Sequence, residues 1–550
     1  MQLQYGFRSL KDFKLIENYS NLFELPAEVK VFKYSSCGKY LAYALTDSVV
    51  IANSDGSQLA QLDVKQCQDL EFSRKSTYLQ TWTRPVRLEN NDYSENVEIF
   101  TLDGTKVFST TVKQLESWTI NFASDDKWAV KQQSNELLVY DTQNWSKGFT
   151  NKLKLEGLVT YTLSPGRNPH LATFIAEKKG APASLRLYSL LGLSSNSKPV
   201  SQKTFFKADR VSMKWNNLGT TLLFQTQTDF DKTNKNYYGE SNLYLLSTVG
   251  GGYDARITLD KPGPIHDFNW SPNSKEFIVI YGYMPAKATL FDQRGNQTFD
   301  FGVNPRNFAL FNPQARFILI AGFGNLAGQV DIWDRRTLSK VCQIDCSNTS
   351  HCEWSPDGRY ILTATCSPRL RVDNGVKLWH LTGKLIHIHP IEELYQVHWK
   401  PVDVKSFPEF RNEIEPAPKP HDSVKIYQKP SETKPKITGA YKPPHARGTP
   451  SSSGASTPRT RTIPGAAPSP KPPQQRKQKS QDQQQQQPEP QAQNDQLTPI
   501  DKKVRNLTKK LKAIEELKEK QKRGEKLEKT QLAKLDSEQE INKEIAQLRN

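Results

Sequence analysis

Apolar residues between positions 1 and 400 fall in short runs separated by turns, not at the three- and four-residue steps of a helix face. The runs follow a recurring phrase. An aromatic or apolar residue stands beside Ser-Pro or Asn-Pro, and then come a turn, an apolar run, a loop and a second run. The clearest copies are "EWSPDGRYILTATC" leading to "GVKLWHLTG" from Glu353, "NWSPNSKEFIVIYGYMPAKATLFDQRG" from Asn269 and "LFNPQARFILIAGFGNLAGQVDIWDRRT" from Leu310. Weaker copies open at Val31, Leu70, Ile120, Tyr161 and Met213, and a last opening, "LYQVHWKP", starts at Leu394.

Strand-type runs with Gly and Asp turns, repeated every roughly 38 to 55 residues, are the pattern of four-stranded propeller blades. One such sheet cannot bury both of its faces alone, so blades stack around an axis. The nine starts predict an all-β propeller of nine blades, above the usual four to eight. The ninth has strand signal for a single strand before Pro401. The N-terminal segment "LQYGFRSLKDFKL" is expected to supply its missing strands, closing the ring and removing exposed edges.

Between the second and third strands of a blade a hairpin needs only about two to five residues. The stretch from Ser367 to Gly375 is longer and carries Arg369 and Arg371. The same junction is lengthened after Trp82, Ala176 and Gln227, so one face of the disc is expected to be built for contact. Its charge is mixed, not a basic stripe. Arg369 and Arg371 either read a partner or pair with Asp373 and a neighbouring blade.

Composition changes behind the repeats. All ten Trp lie at or before Trp399, whereas 19 of 34 Pro fall between 401 and 500. Residues 401–497 therefore read as a disordered linker rich in Pro, Ser and Gln, with little to bury. Net charge is +17, and between Ser423 and Ser480 twelve Lys and Arg face one acid, Glu432. A cationic arm of this kind binds phosphate backbones by counterion release. Tyr441, Lys442, His445 and Arg447 combine an aromatic ring with cations, which suits base stacking.

Residues 498–550 return to a helical period. Val504, Leu507, Leu511, Ile514 and Leu517 share one face, with Thr498 as N-cap and Pro499 in the first turn. Gly524 breaks the run, and Leu527, Leu532, Leu535, Ile541, Ile545 and Leu548 resume it, predicting a small helical hairpin or bundle. Lys502, Lys503, Arg505, Lys509, Lys510 and Lys512 crowd its first turns with only Asp501 against them, a docking surface for RNA or the ribosome.

Several chemistries find no support. No G-x-x-x-x-G-K-[ST] loop is present to cradle a nucleotide phosphate. Cys342, Cys346, Cys352 and Cys366, with His351, lack the tight paired spacing of a zinc site, and no nucleophile–base constellation stands out. His387 and His389 read as blade structure. The expectation is a non-enzyme without cofactor or metal. Six Cys form no disulfide framework, and neither a signal h-region nor a membrane span appears, so a cytoplasmic protein is expected.

The segment "ATCSPRLRVDNGVKLWHLTG" resembles the last full blade of the eukaryotic translation initiation factor 2A family, and a related form occurs in subunit b of initiation factor 3. The phrase "ITGAYKPPHARGTPS" and the ending from Asp501 are similar to the same family in the same order. The subunit b alternative requires an RNA-recognition domain ahead of the propeller, and only about thirty residues precede the first blade here. The resemblance implies a non-enzymatic initiation factor. It would associate with the small ribosomal subunit and promote codon-directed, GTP-independent binding of initiator methionyl-tRNA, with mRNA, rRNA and other initiation factors as further partners. The competing class is a general WD-type protein-interaction scaffold whose basic tail binds RNA without specificity.

Overall fold

The computed structural model describes residues 3–428, apart from 90, 179, 229–238 and 250–253, together with Ile514, Lys518 and Glu538. Residues 1–437 and 438–550 form separate units. The first holds nine four-stranded antiparallel sheets, the nine blades that the repeats predict. Blades 1 to 8 follow one another in the chain: 31–62, 69–110, 121–154, 158–205, 210–257, 265–304, 308–345 and 351–390.

Blade 9 is composite, as the lone ninth run requires. Its first strand, Gln396–Trp399, pairs antiparallel with Gln4–Arg8, in the register Tyr5 to Trp399 and Arg8 to Gln396. Strands Phe13–Glu17 and Ser20–Leu25 complete the sheet. The Gln396 side chain then clasps blade 1: it donates to Phe32 O at 2.7 Å and accepts from Phe32 N at 3.3 Å.

First strands of neighbouring blades pack on one another, as in Val31–Tyr34 against Asp69–Phe72, which puts them at the axis. No single central core exists. Instead nine apolar clusters sit between adjacent blades, one per interface, and the last joins Phe13 and Leu15 of blade 9 to Phe32, Leu41 and Tyr43 of blade 1. Second strands serve two clusters at once: Phe277 and Val279 face blade 5 while Ile278 and Ile280 face blade 7. Burial on both faces is why these strands read as unbroken apolar runs.

The Ser-Pro and Asn-Pro phrase also has a cause. In six blades a Ser or Asn side chain heads the turn between first and second strands and accepts the N–H that opens the second strand. Ser355 Oγ takes Tyr360 N at 2.9 Å, and Asn312 Oδ1 takes Phe317 N at 2.8 Å. These side chains are fully buried, so without them the N–H groups would lack a partner. Three residues past the Ser or Asn the backbone turns left-handed. At Gly219 (φ 70°) an added Cβ would strike Pro165 O of blade 4 at 1.8 Å, so glycine is required there by space as well as by φ.

The first 28 residues of the expected linker, 401–428, are ordered. Residues 401–428 are packed against the face that carries these first turns. Phe410 meets Phe317 edge-on at 5.1 Å and lies under the Arg359 guanidinium at 4.6 Å. Arg316, held by Asp334 at 2.7 Å, also donates to Arg411 O and Asn412 O. His421 N donates to Ile386 O at 2.8 Å, and the short helix Asp422–Gln428 buries Val424 against the outer strand of blade 8, Leu385–Pro390. A Pro-rich segment is thus ordered by a few anchors. The described part of this segment ends in that helix, on the outer strand of blade 8.

These anchors create a pH dependence. His387 is buried beside His421 (Nδ1 to Nδ1, 3.3 Å) and stacks on Tyr19. Burial, reinforced by the neighbouring His421 and His389, pushes it down to about 4, and burial does the same to His380. Unfolded imidazoles protonate near 6.5, so below that pH the unfolded chain binds more protons and stability falls as pH drops from about 6.5 to 4. The loss is roughly 3 kcal/mol at most for each ring. Urea midpoints measured across this window should show the slope in the native chain and a shallower one in His387→Gln. Equal slopes would count against it.

Candidate partner-binding face

Because every blade is antiparallel, loops joining second to third strands share a face with those joining one blade to the next. The loop 366–374 stands on this face, between Tyr360–Thr365 and Gly375–His380, the second and third strands of blade 8, as the sequence predicts. It is cross-tied, not slack. Ser367 Oγ donates to Asn374 Oδ1 at 2.8 Å, Asn374 Nδ2 donates to Leu370 O at 2.8 Å, and Ser367 N donates to Leu394 O. These bonds hold the tip outward.

Arg369, Arg371 and Asp373 are all exposed, and Val372 between them is 70% exposed. Neither arginine forms an ion pair among the described residues, with Asp373 or any other carboxylate. Arg369 instead lies over Gly324 of the blade 7 loop, where an added Cβ would sit 3.1 Å from its Nη2. The neighbouring blade therefore contributes a bare backbone platform, not a counter-charge.

The rest of the face mixes signs, as expected. Lys207 pairs with Glu240 at 3.2 Å on the wall of a cavity of about 720 Å³ between blades 5 and 6, where Arg256, Lys261 and Tyr283 also line the space. Sequence reasoning missed the apolar tips. Val86, Leu88, Leu115, Phe206, Met284 and Val372 are exposed by 41 to 70%, and all belong to loops of this face. They sit singly in polar loops, so periodicity offered no signal for them.

The predicted tail residues Tyr441, Lys442, His445, Arg447, Lys502, Lys503, Arg505, Lys509, Lys510 and Lys512 lie outside the described residues. In that second unit Ile514, Lys518 and Glu538 are helical. Ile514 is buried, and Lys518 Nζ meets the Glu538 carboxylate at 2.5 Å.

Cys342, Cys346, Cys352 and Cys366 are thiols raised by burial, Cys342 to about 11 and Cys346 to about 12, with Cys352 well up. His351 turns away from them toward Glu353. Among the described residues one group brings three metal-capable donors together, all within 4.8 Å of one another: His351, Glu353 and His398. His351 Nε2 lies 3.0 Å and His398 Nδ1 2.7 Å from Glu353 Oε1, and Trp399 N donates to Oε2 at 3.1 Å. Burial alone would raise the Glu353 carboxyl, but the two imidazoles outweigh it and hold it at about 2. The group thereby ties blade 8 to the first strand of blade 9.

Residues 203–397 match the family model described as eukaryotic translation initiation factor eIF2A, and residues 502–548 match the model of the eukaryotic translation initiation factor 2A C-terminal domain. The chain is 41% identical to eukaryotic translation initiation factor 2A of Schizosaccharomyces pombe, over 99% of this chain and 98% of that protein. It is 37% identical to the protein of that name from Saccharomyces cerevisiae, over 100% and 99%. A solved structure titled "Crystal structure of the eukaryotic initiation factor" superimposes with a TM-score of 0.67 at 40% identity, covering 73% of this chain and 99% of that one. The described helices include none long and apolar enough to cross a membrane. A nine-bladed ring and near-full-length identity together place the chain in the eukaryotic translation initiation factor 2A family.

Proposed function

We infer that the protein is a cytoplasmic, non-enzymatic initiation factor that binds the small ribosomal subunit and promotes codon-directed, GTP-independent placement of initiator methionyl-tRNA. The observation that supports this most is the 366–374 loop: a braced loop that presents Arg369 and Arg371 without a carboxylate partner. Buried or paired arginines serve the fold, whereas exposed and unpaired ones on a rigid mount are suited to phosphate. The chain beyond residue 428 adds 26 Lys and Arg against 14 Asp and Glu, a second contact for a polyanion. Two contacts on one chain together gain effective concentration on a large assembly.

The test is co-sedimentation with purified small ribosomal subunits at about 150 mM salt, where affinity for phosphate alone is weak. Arg369→Ala with Arg371→Ala in the full chain is expected to reduce binding at least fivefold and leave stability within about 0.5 kcal/mol, since both side chains are exposed. Residues 429–550 alone should bind with a steeper salt dependence than the full chain. If the double substitution binds subunits as well as the parent, the arginine loop has no part in the contact. If the full chain shows no excess over a control RNA, the interaction-scaffold reading takes its place.

A further inference from the structure

We propose that His351, Glu353 and His398 form a binding site for a divalent transition ion of the zinc class, set in the axial wall where blade 8 meets blade 9. The chain positions the donors by two separate rules. His351 and Glu353 stand two residues apart on the strand His351–Trp354, so the pleat turns both side chains to one face. His398 comes from Gln396–Trp399, the first strand of the next blade, and its ring meets that of His351 edge-on at 5.1 Å.

Two imidazoles and one carboxylate are a donor set that zinc uses when a coordination position is left open. The separations of 2.7 and 3.0 Å between the imidazole nitrogens and Glu353 Oε1 need only small side-chain movement to take an ion about 2.0 to 2.2 Å from each. Trp399 N occupies Oε2 and fixes the carboxylate, leaving Oε1 aimed between the two rings. Such outer hydrogen bonds orient a ligand before the ion arrives.

Access is open. The three side chains are about 28 to 33% exposed, and Glu353 and His398 line a cavity of about 440 Å³ with Lys33, Tyr34 and Pro401. Without an ion, His398 Nδ1 is hydrogen-bonded to Glu353 Oε1, whereas His351 Nε2 lies 3.0 Å from that oxygen with no hydrogen bond of its own. The amine of Lys33, which lines the same cavity, is taken up by Glu71 at 3.3 Å.

The ion would join two adjacent blades at the place where the ring is closed by its own N-terminus. Its binding is therefore read in the ring's stability as well as in the metal's spectrum.

The experiment titrates untagged full-length protein, stripped by chelator, with Co²⁺ and Zn²⁺. The expected result is one equivalent of Co²⁺ giving visible d–d absorption that Zn²⁺ displaces, together with a higher thermal midpoint in Zn²⁺. His398→Ala and His351→Asn should each weaken binding about 100-fold, whereas His387→Ala, at the other histidine cluster, should leave it unchanged. Circular dichroism of the metal-free variants separates lost ligation from lost folding, and His351→Asn keeps a hydrogen-bonding group where alanine would not. No saturable Co²⁺ signal in the folded parent overturns the site. So does equal affinity in the parent and both site variants, or loss of binding only in His387→Ala.

Discussion

A chain lacking residues 1–25 is expected to lose its cooperative unfolding transition altogether. The deletion removes three strands of blade 9 and with them Tyr5, Phe7, Phe13, Leu15 and Ile16, each at most 2% exposed. At about 1.5–3 kcal/mol for each large apolar side chain, the loss is roughly 8–15 kcal/mol, as large as the whole stability of a typical domain. It also leaves Gln396–Trp399 without a partner strand and opens the clusters on both sides of blade 9. Thermal unfolding followed by circular dichroism, with size-exclusion chromatography, checks this. A truncated chain that melts sharply within a few degrees of the parent would show that eight blades close without the ninth. Adding a peptide of residues 1–27 in trans should restore part of the transition.

Arg306→Ala should be the most damaging single charge removal, costing roughly 3 kcal/mol or more. Arg306 and Asp331 are 4% and 5% exposed, and two guanidinium nitrogens reach Asp331 Oδ2 at 2.9 and 2.7 Å. Removing the cation strands a buried carboxylate, whose remaining cationic neighbour is Lys340 at 2.6 Å. Replacing both partners by Arg306→Met and Asp331→Leu should recover most of the loss, because no uncompensated charge is then left in the blade. Chemical denaturation of the three variants decides it. If the single and double changes cost the same, the penalty belongs to side-chain volume and not to charge.

The propeller was readable because its repeating phrase is physically over-determined. In six blades a Ser or Asn satisfies the N–H that opens the second strand, and the second strands carry apolar residues on both faces, so the two demands recur along the chain. Blade 9 was readable for the opposite reason: a lone strand with no partners after it pointed back to the N-terminus. What escaped was contact between distant, unpatterned residues. Phe410 and Val424 are single apolar residues in polar surroundings, and only their fit against Phe317 and Leu385–Pro390 orders the stretch after residue 400. Glu353 and His398 are 45 residues apart on different sheets, and no spacing rule joins them. At the arginine loop, sequence left two readings open, contact with a partner or pairing with Asp373 and a neighbouring blade. The geometry puts Arg369 on the neighbouring blade, against the Gly324 backbone, and leaves Asp373 unused.

The composite blade also sets a schedule for synthesis. Strand Gln4–Arg8 is made almost four hundred residues before its partner Gln396–Trp399. At about 5–20 residues per second, the interval is roughly 20–80 s. Throughout it, Gln4–Arg8 offers an open strand edge with no native neighbour, the kind of template that pairs with other chains. The nascent protein therefore passes its longest stage as an unclosed arc, and shielding that first hairpin is a requirement placed on the cell before the ring exists.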